Sequence, residues 1–297
     1  MDSGRWEGFP FRDGDIVIST PAKCGTTWTQ TICALLIFQT PELPRRLDDL
    51  SVWPDMLTRS QAEVFAFYEA QQHRRFIKTH TPFDGLPVHD GVTYITVGRD
   101  PRDVAISWDA HFQNTDYDVV LAMRGAAVGN EDLTGDLTDD APPPLDSAYD
   151  RFWAWVDNTD VQIGLPSMLH HISGFWAQRQ RPNVLLLHYD ELKADLEGQM
   201  RALAGQLGIE VPEQRWPELV RAATFDSMRS RAAEFAPVVA MWRDPQQFFN
   251  QGVSGQWRAL LDDEDLRRYA ERVVKLAEPE LADWLHRGPI TSTEPGH

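Results

Sequence analysis

The 297-residue chain is predicted to form a three-layer α/β domain, with a central, mainly parallel β-sheet flanked by helices. Two observations point there. Short strand-like runs alternate with longer segments of helical period, the pattern of a parallel sheet covered on both faces. No linker divides the chain, so residues 1–297 read as one domain.

The elements follow in order. Residues 15–20 (DIVIST), a β-branched run after a Gly-Asp turn signal, read as the first strand. Residues 25–38 (GTTWTQTICALLIF) read as the buried helix that follows it, and residues 60–72 as a polar helix. Residues 75–79 (RFIKT) and 92–98 (VTYITVG) read as the second and third strands, with a helix over 103–112. Residues 114–147 carry NED, GDLTDD and APPP and break the pattern; they read as a lid or acceptor-loop excursion, or as a solvated loop. Helical patterns return over 149–156 and 167–180, and residues 184–188 (VLLLH) form the fourth strand. Amphipathic helices are expected over 190–207 and 262–285. There is no internal repeat.

Composition narrows the function. The hydrophobic content of 42% and charged content of 25% are those of a globular protein. The formal net charge of -17 argues against nucleic acid and anionic membranes as partners. A small anion would need cations gathered at one place. Cys24 and Cys33 form no CxxC pair and have no clustered His, so no metal site is expected and a reducing compartment fits. The N-terminus lacks an apolar signal core, and no apolar run reaches the length of a membrane span. A cytoplasmic protein is expected.

The strongest local signal is STPAKCGTTW, residues 19–28, between the first strand and its helix. Such a junction aims free N–H groups and the positive end of a helix dipole at one spot. Gly25 permits close backbone approach, Lys23 supplies a point charge, and Thr26 and Thr27 add hydroxyl donors. Together they suit a terminal phosphate or sulfate. The order is not that of a Walker A loop, in which Lys follows the last Gly. A plain helix capped by Thr26 is the simpler alternative.

ISTPAKCGTTW resembles the 5′-phosphosulfate loop of cytosolic sulfotransferases that use 3′-phosphoadenosine-5′-phosphosulfate (PAPS). Three further segments match in order: IKTHTP (77–82) resembles the family's KTHLP, YITVGRDPRDVAISW (94–108) its 3′-phosphate segment, and FNQGVSGQW (249–257) its RKGxxGDW segment. Pro21 and Ala22 replace Tyr-Pro, Cys24 replaces Ser, and Asn250 and Gln251 replace the Arg-Lys pair that grips the 3′-phosphate. Gly252 and Gly255 remain. The resemblance implies a P-loop NTPase-like fold, PAPS as sulfonate donor, 3′-phosphoadenosine 5′-phosphate as product, and no metal.

It also implies a site. Lys23 to Trp28 would hold the 5′ end of the donor, and Arg99 and Ser107, eight residues apart, the 3′-phosphate. Trp28, Tyr189, Phe225 and Met228 match adenine-site positions. His80 is the candidate general base, which suits an acceptor hydroxyl that must lose a proton. Lys23 would stabilise the leaving oxygen and Lys78 the sulfonate oxygens. Cys24, beside Lys23 at a helix N-terminus, reads either as a reactive thiolate or as a small buried residue. Residues 114–170, with Phe152, Trp153 and Trp155, are expected to form the acceptor pocket, and His111, His170 and His171 are further candidates to line it. The acceptor would be a small molecule or lipid with a hydroxyl; neither its identity nor the oligomeric state is readable. Two other readings stand beside this one: a P-loop nucleotide kinase and a catalytically inactive nucleotide-binding protein.

Overall fold

The computed structural model describes residues 2–131, 145–159, 163–249 and 252–287. Its sheet has four parallel strands, β1 (Ile16–Ser19), β2 (Phe76–Thr79), β3 (Thr93–Gly98) and β4 (Val184–His188), in the order β2-β1-β3-β4. Ile16 is in register with Phe76 on one side and Thr93 on the other, and Tyr94 with Val184.

Successive side chains of a strand face opposite layers. Ile16 and Ile18 therefore pack on one face with Ile32 and Leu35 of α1 (Thr26–Phe38). Val17 packs on the other with Tyr68 of α2 (Gln61–Glu69) and with Ile77 and Tyr94. At the N-terminal ends of the strands Arg75 is buried and paired with Asp15, Nε lying 2.8 Å from Oδ1.

The remaining helices are α3 (Pro101–Asn114), α4 (Tyr117–Val128), α5 (Ala148–Val156), α6 (Leu165–Ala177), α7 (Tyr189–Ala194), α8 (Leu196–Gln206), α9 (Trp216–Ala222), α10 (Phe225–Ser230), α11 (Ala232–Phe235), α12 (Asp263–Leu276) and α13 (Pro279–His286). Three departures from the sequence reading have local causes. The segment expected as one helix over 190–207 is two, because Asp195 leaves helical geometry and caps α8 by accepting from Gly198. The C-terminal helix is likewise two, since the residue before Pro279 is held extended. Helix α4 occupies the start of the segment expected as an excursion; residues 132–144 of that segment lie outside the described residues.

The strand ends place the site. All four strands run the same way, so Thr20, His80, Arg99 and Tyr189, each the first residue past its strand, share one edge of the sheet. The chain leaves β1 toward β2 on one side and enters β3 on the other. That switch point is where open α/β sheets bind ligands.

Candidate active site

A cavity of about 590 Å³ opens at this edge. One half is built around the β1–α1 turn. Gly25 caps α1 at φ +106, and no side chain caps the helix. Thr26 is not the cap: its hydroxyl pairs with that of Thr20 at 2.6 Å. Gly25, Thr26 and Thr27 line the cavity, presenting the first turn of α1 to it. A Cβ on Gly25 would stand 3.3 Å from the Tyr189 ring.

Lys23 holds a left-handed backbone at φ +66. Its Nζ lies 3.3 Å from Nδ1 of His111 and 5.1 Å from the centre of the Phe248 ring. Burial, and then the charge of Arg99, lower the Lys23 pKa to about 8. Arg99 donates to the Lys23 carbonyl at 2.8 Å and lies 4.1 Å over the Tyr189 ring. Its Nε is buried without a hydrogen-bond partner. A buried guanidinium N–H left over at a cavity wall suits an anionic guest. Ser107, two turns into α3, lines the same cavity.

Trp28 donates to the Ala223 carbonyl at 2.8 Å and meets Tyr189 edge-on, with ring centres 5.4 Å apart. Phe225 and Met228 of α10 line the wall beyond. Gly252, at φ +65, lies against Phe225: a Cβ there would stand 2.8 Å from the ring. Asp103 anchors the end of this segment by accepting from the Gly255 and Gln256 amides at 2.7 and 3.0 Å. Asn250 and Gln251 lie outside the described residues.

His80 sits where the two halves meet. Its Nδ1 donates to the Thr20 carbonyl at 2.6 Å, which leaves the Nε2 lone pair free when the ring is neutral. Burial, and then the charge of Lys23, lower its pKa to about 4, although the bond to Thr20 works the other way. His171 donates to Ser19 Oγ at 3.1 Å, because that hydroxyl already donates to the Thr81 carbonyl at 2.5 Å. His111 is pushed down to about 2, first by burial and then by Lys23. His170 lines the cavity from an exposed position, 3.1 Å from Asp84.

Two candidates do not reach the cavity. Lys78 does not line it: the side chain is buried against Asp48 at 2.6 Å and lies 5.1 Å over the Trp53 ring, which does. Cys24 is fully buried, and its amide is already turned to the Pro21 carbonyl at 3.3 Å. Burial raises the thiol to about 12, outweighing Arg99 and Lys23. The reactive-thiolate reading is thereby corrected: Cys24 packs as a small buried residue.

The other half of the cavity is side chains from distant segments. Trp155 lines it as expected, whereas Phe152 and Trp153 belong to the core. Trp53 and Met56, and a second wall from Pro237 to Phe248 that includes Trp242, were not singled out by sequence. Trp-Pro at 53–54 and the aromatic run around 242–249 were the available signals. The second wall is stapled to α3 and α4: the Asn114 side chain exchanges two 2.9 Å hydrogen bonds with the Asp244 backbone, and Asp116 N–H donates to the Met241 carbonyl at 2.8 Å.

A cationic loop at a helix N-terminus, a neutral imidazole with a free nitrogen and an aromatic-lined chamber define a group-transfer enzyme acting on an anionic donor. The chain belongs to the sulfotransferase domain family, whose model matches residues 13–284. It is similar to a glycolipid sulfotransferase of Mycobacterium bovis (strain BCG / Pasteur 1173P2), at 40% identity over 97% of this chain and 92% of that protein. The luciferin sulfotransferase of Photinus pyralis is 27% identical, over 76% of this chain and 59% of its own. Among solved structures, a mouse sulfotransferase complexed with PAP shares the fold at a TM-score of 0.68 and 21% identity, covering 95% of this chain and 90% of that one.

Proposed function

We propose that the protein transfers a sulfonate group from PAPS to a hydroxyl of a lipid, glycolipid or other small acceptor, with His80 as general base. One observation carries this reading: the Nδ1 bond to Thr20 leaves Nε2 of His80 free, and His80 lines the cavity that the cationic β1–α1 loop also lines. PAPS supplies an activated sulfonate on a leaving group that carries phosphates at its 5′ and 3′ positions. The residues present fit it: the unpartnered Nε of Arg99 with Ser107 for the 3′-phosphate, and Gly252 closing on Phe225 beside the adenine. Gly25, Thr26 and Thr27 hold the 5′ end, and Lys23 stabilises negative charge on the departing oxygen. Negative charge beside Lys23 also offsets the cation that depresses His80, so the base strengthens when the donor is in place.

A lipid-bearing acceptor is supported by the mycobacterial relatives' name and by the apolar chamber of Trp53, Trp155 and Trp242. No helix among the described residues is long and apolar enough to cross a membrane; a cytoplasmic, single-domain enzyme is part of the same reading. An inactive nucleotide binder is disfavoured, because Lys23 and His80 both face the cavity.

The test is transfer of labelled sulfonate from PAPS to a panel of glycolipids, sterols and phenols. Release of 3′-phosphoadenosine 5′-phosphate should match acceptor sulfation. His80→Ala should lower kcat by roughly 100- to 10,000-fold while nucleotide affinity stays nearly unchanged. Near-wild-type turnover in that variant would remove His80 from the mechanism.

A further inference from the structure

Asp55 is fully buried, and its Oδ1 has no hydrogen-bond partner. Its Oδ2 accepts short hydrogen bonds from the hydroxyls of Thr79 and Thr81, the residues on either side of His80. Burial raises the Asp55 pKa, opposed by those two hydroxyls. Both hydroxyls also accept hydrogen bonds of their own. Thr79 Oγ1 takes the Thr81 amide at 2.8 Å, and Thr81 Oγ1 takes the Trp6 indole N–H at 3.2 Å. Each hydroxyl proton is thereby directed to Oδ2, and the chain of donors ends on that one atom. A carboxylate buried among neutral partners is costly, and a core requiring only shape would be better served by an apolar residue. Something other than packing retains it.

The same turn carries the acceptor wall. Trp53, two residues before Asp55, stands 4.6 Å from the His80 ring, and Met56, one residue after, lines the cavity.

We infer that Asp55 is a positioning residue: by gripping Thr79 and Thr81 it fixes the backbone that bears His80, and so holds the imidazole on the Thr20 carbonyl with Nε2 toward the acceptor. The inference rests on His80 being the base. Asp55 does not line the cavity and acts only through its two threonines. Its role is that of a hydrogen-bond acceptor, so an amide oxygen substitutes for it and a methyl group does not.

The experiment pairs kinetics with a readout that needs no turnover. Histidine ring nitrogens are labelled and His80 is assigned from the spectrum of His80→Ala. In the wild type His80 should show a single Nδ1–H tautomer. Asp55→Ala should mix the tautomers and lower kcat by about 10- to 100-fold, the scale of a small misplacement of a reacting group, with the KM for PAPS unmoved. Asp55→Asn should restore the single tautomer and most of kcat. Asp55→Ala with one Nδ1–H tautomer and wild-type kcat overturns the inference. So does an equal loss of melting temperature in both variants with the His80 tautomer unaltered, since that marks a purely structural residue. If wild-type protein sulfates no acceptor, the reading of the reaction fails, while the ring spectra still decide whether Asp55 orients His80.

Discussion

The two halves of the cavity are built differently. The half around Lys23, Arg99 and Tyr189 comes from strand ends and the first turn of one helix, so its groups hang on the hydrogen-bonded edge of the sheet. The half around Trp53, Trp155 and Trp242 is walled by side chains from segments about a hundred residues apart, joined by contacts such as Asn114 to Asp244. Backbone geometry at a sheet edge can serve one fixed anion for a whole family. A wall of side chains can be rebuilt for a different guest without disturbing the sheet.

The largest effect that would sharpen this contrast lies at Lys23. Lys23→Ala should lower kcat by roughly 100- to 1,000-fold for every acceptor tried, as for the loss of one group that stabilises developing charge. Its pH behaviour follows from signs. In the proposed reaction His80 acts deprotonated and Lys23 protonated, so in the free enzyme activity should rise through about 4 and fall above about 8. A profile of kcat/KM for PAPS checks this. Lys23→Arg should move the alkaline fall upward, because a guanidinium keeps its proton. An alkaline limb that ignores Lys23→Arg would assign it to another group.

Arg99 gives the next effect. Arg99→Ala should weaken 3′-phosphoadenosine 5′-phosphate by roughly 10- to 150-fold, the loss of about 1.5–3 kcal/mol of charge-assisted bonding, and ADP far less. Calorimetry with both nucleotides measures it. Equal losses would mean that Arg99 acts only by supporting the Lys23 carbonyl.

The same contrast explains what the sequence disclosed. Every strand was legible within one or two residues, and Lys23, Gly25, Thr26, Thr27, Trp28, Arg99, Ser107 and Tyr189, singled out by their steps from a strand end, all line one cavity. Lys78, expected at the sulfonate, does not line the cavity, for a physical reason. It lies two residues before His80 in β2, inside the strand, where its partner is Asp48 rather than the cavity at the strand's end. Trp53 and Trp242 carry only a Trp-Pro pair and an aromatic run as local signals, and neither they nor Met56 sit at a fixed step from a strand end; tertiary contact brings them to the site. Asp55 stayed hidden likewise, since an acid near residue 50 says nothing of hydroxyls at 79 and 81 until the chain is folded.

The smallest effect would test whether the halves are separable. Val120 lines the acceptor side from α4. Val120→Ala should raise acceptor KM by no more than about 15-fold, as expected for about two buried methylene equivalents, and only for acceptors that extend to α4. Donor affinity should not move. A change in the binding of 3′-phosphoadenosine 5′-phosphate would show that the two walls are coupled.

Lys23 has one more consequence, which concerns inheritance. A side chain to which the proposed reaction assigns the departing charge stands on a backbone that suits glycine, at φ +66. That posture costs about 1–2 kcal/mol, a visible share of the margin by which a domain stays folded. Drift toward glycine at this position would be favoured by durability and opposed by turnover. Lineages that lose the need for the reaction should shed the lysine early and gain heat tolerance as they do so.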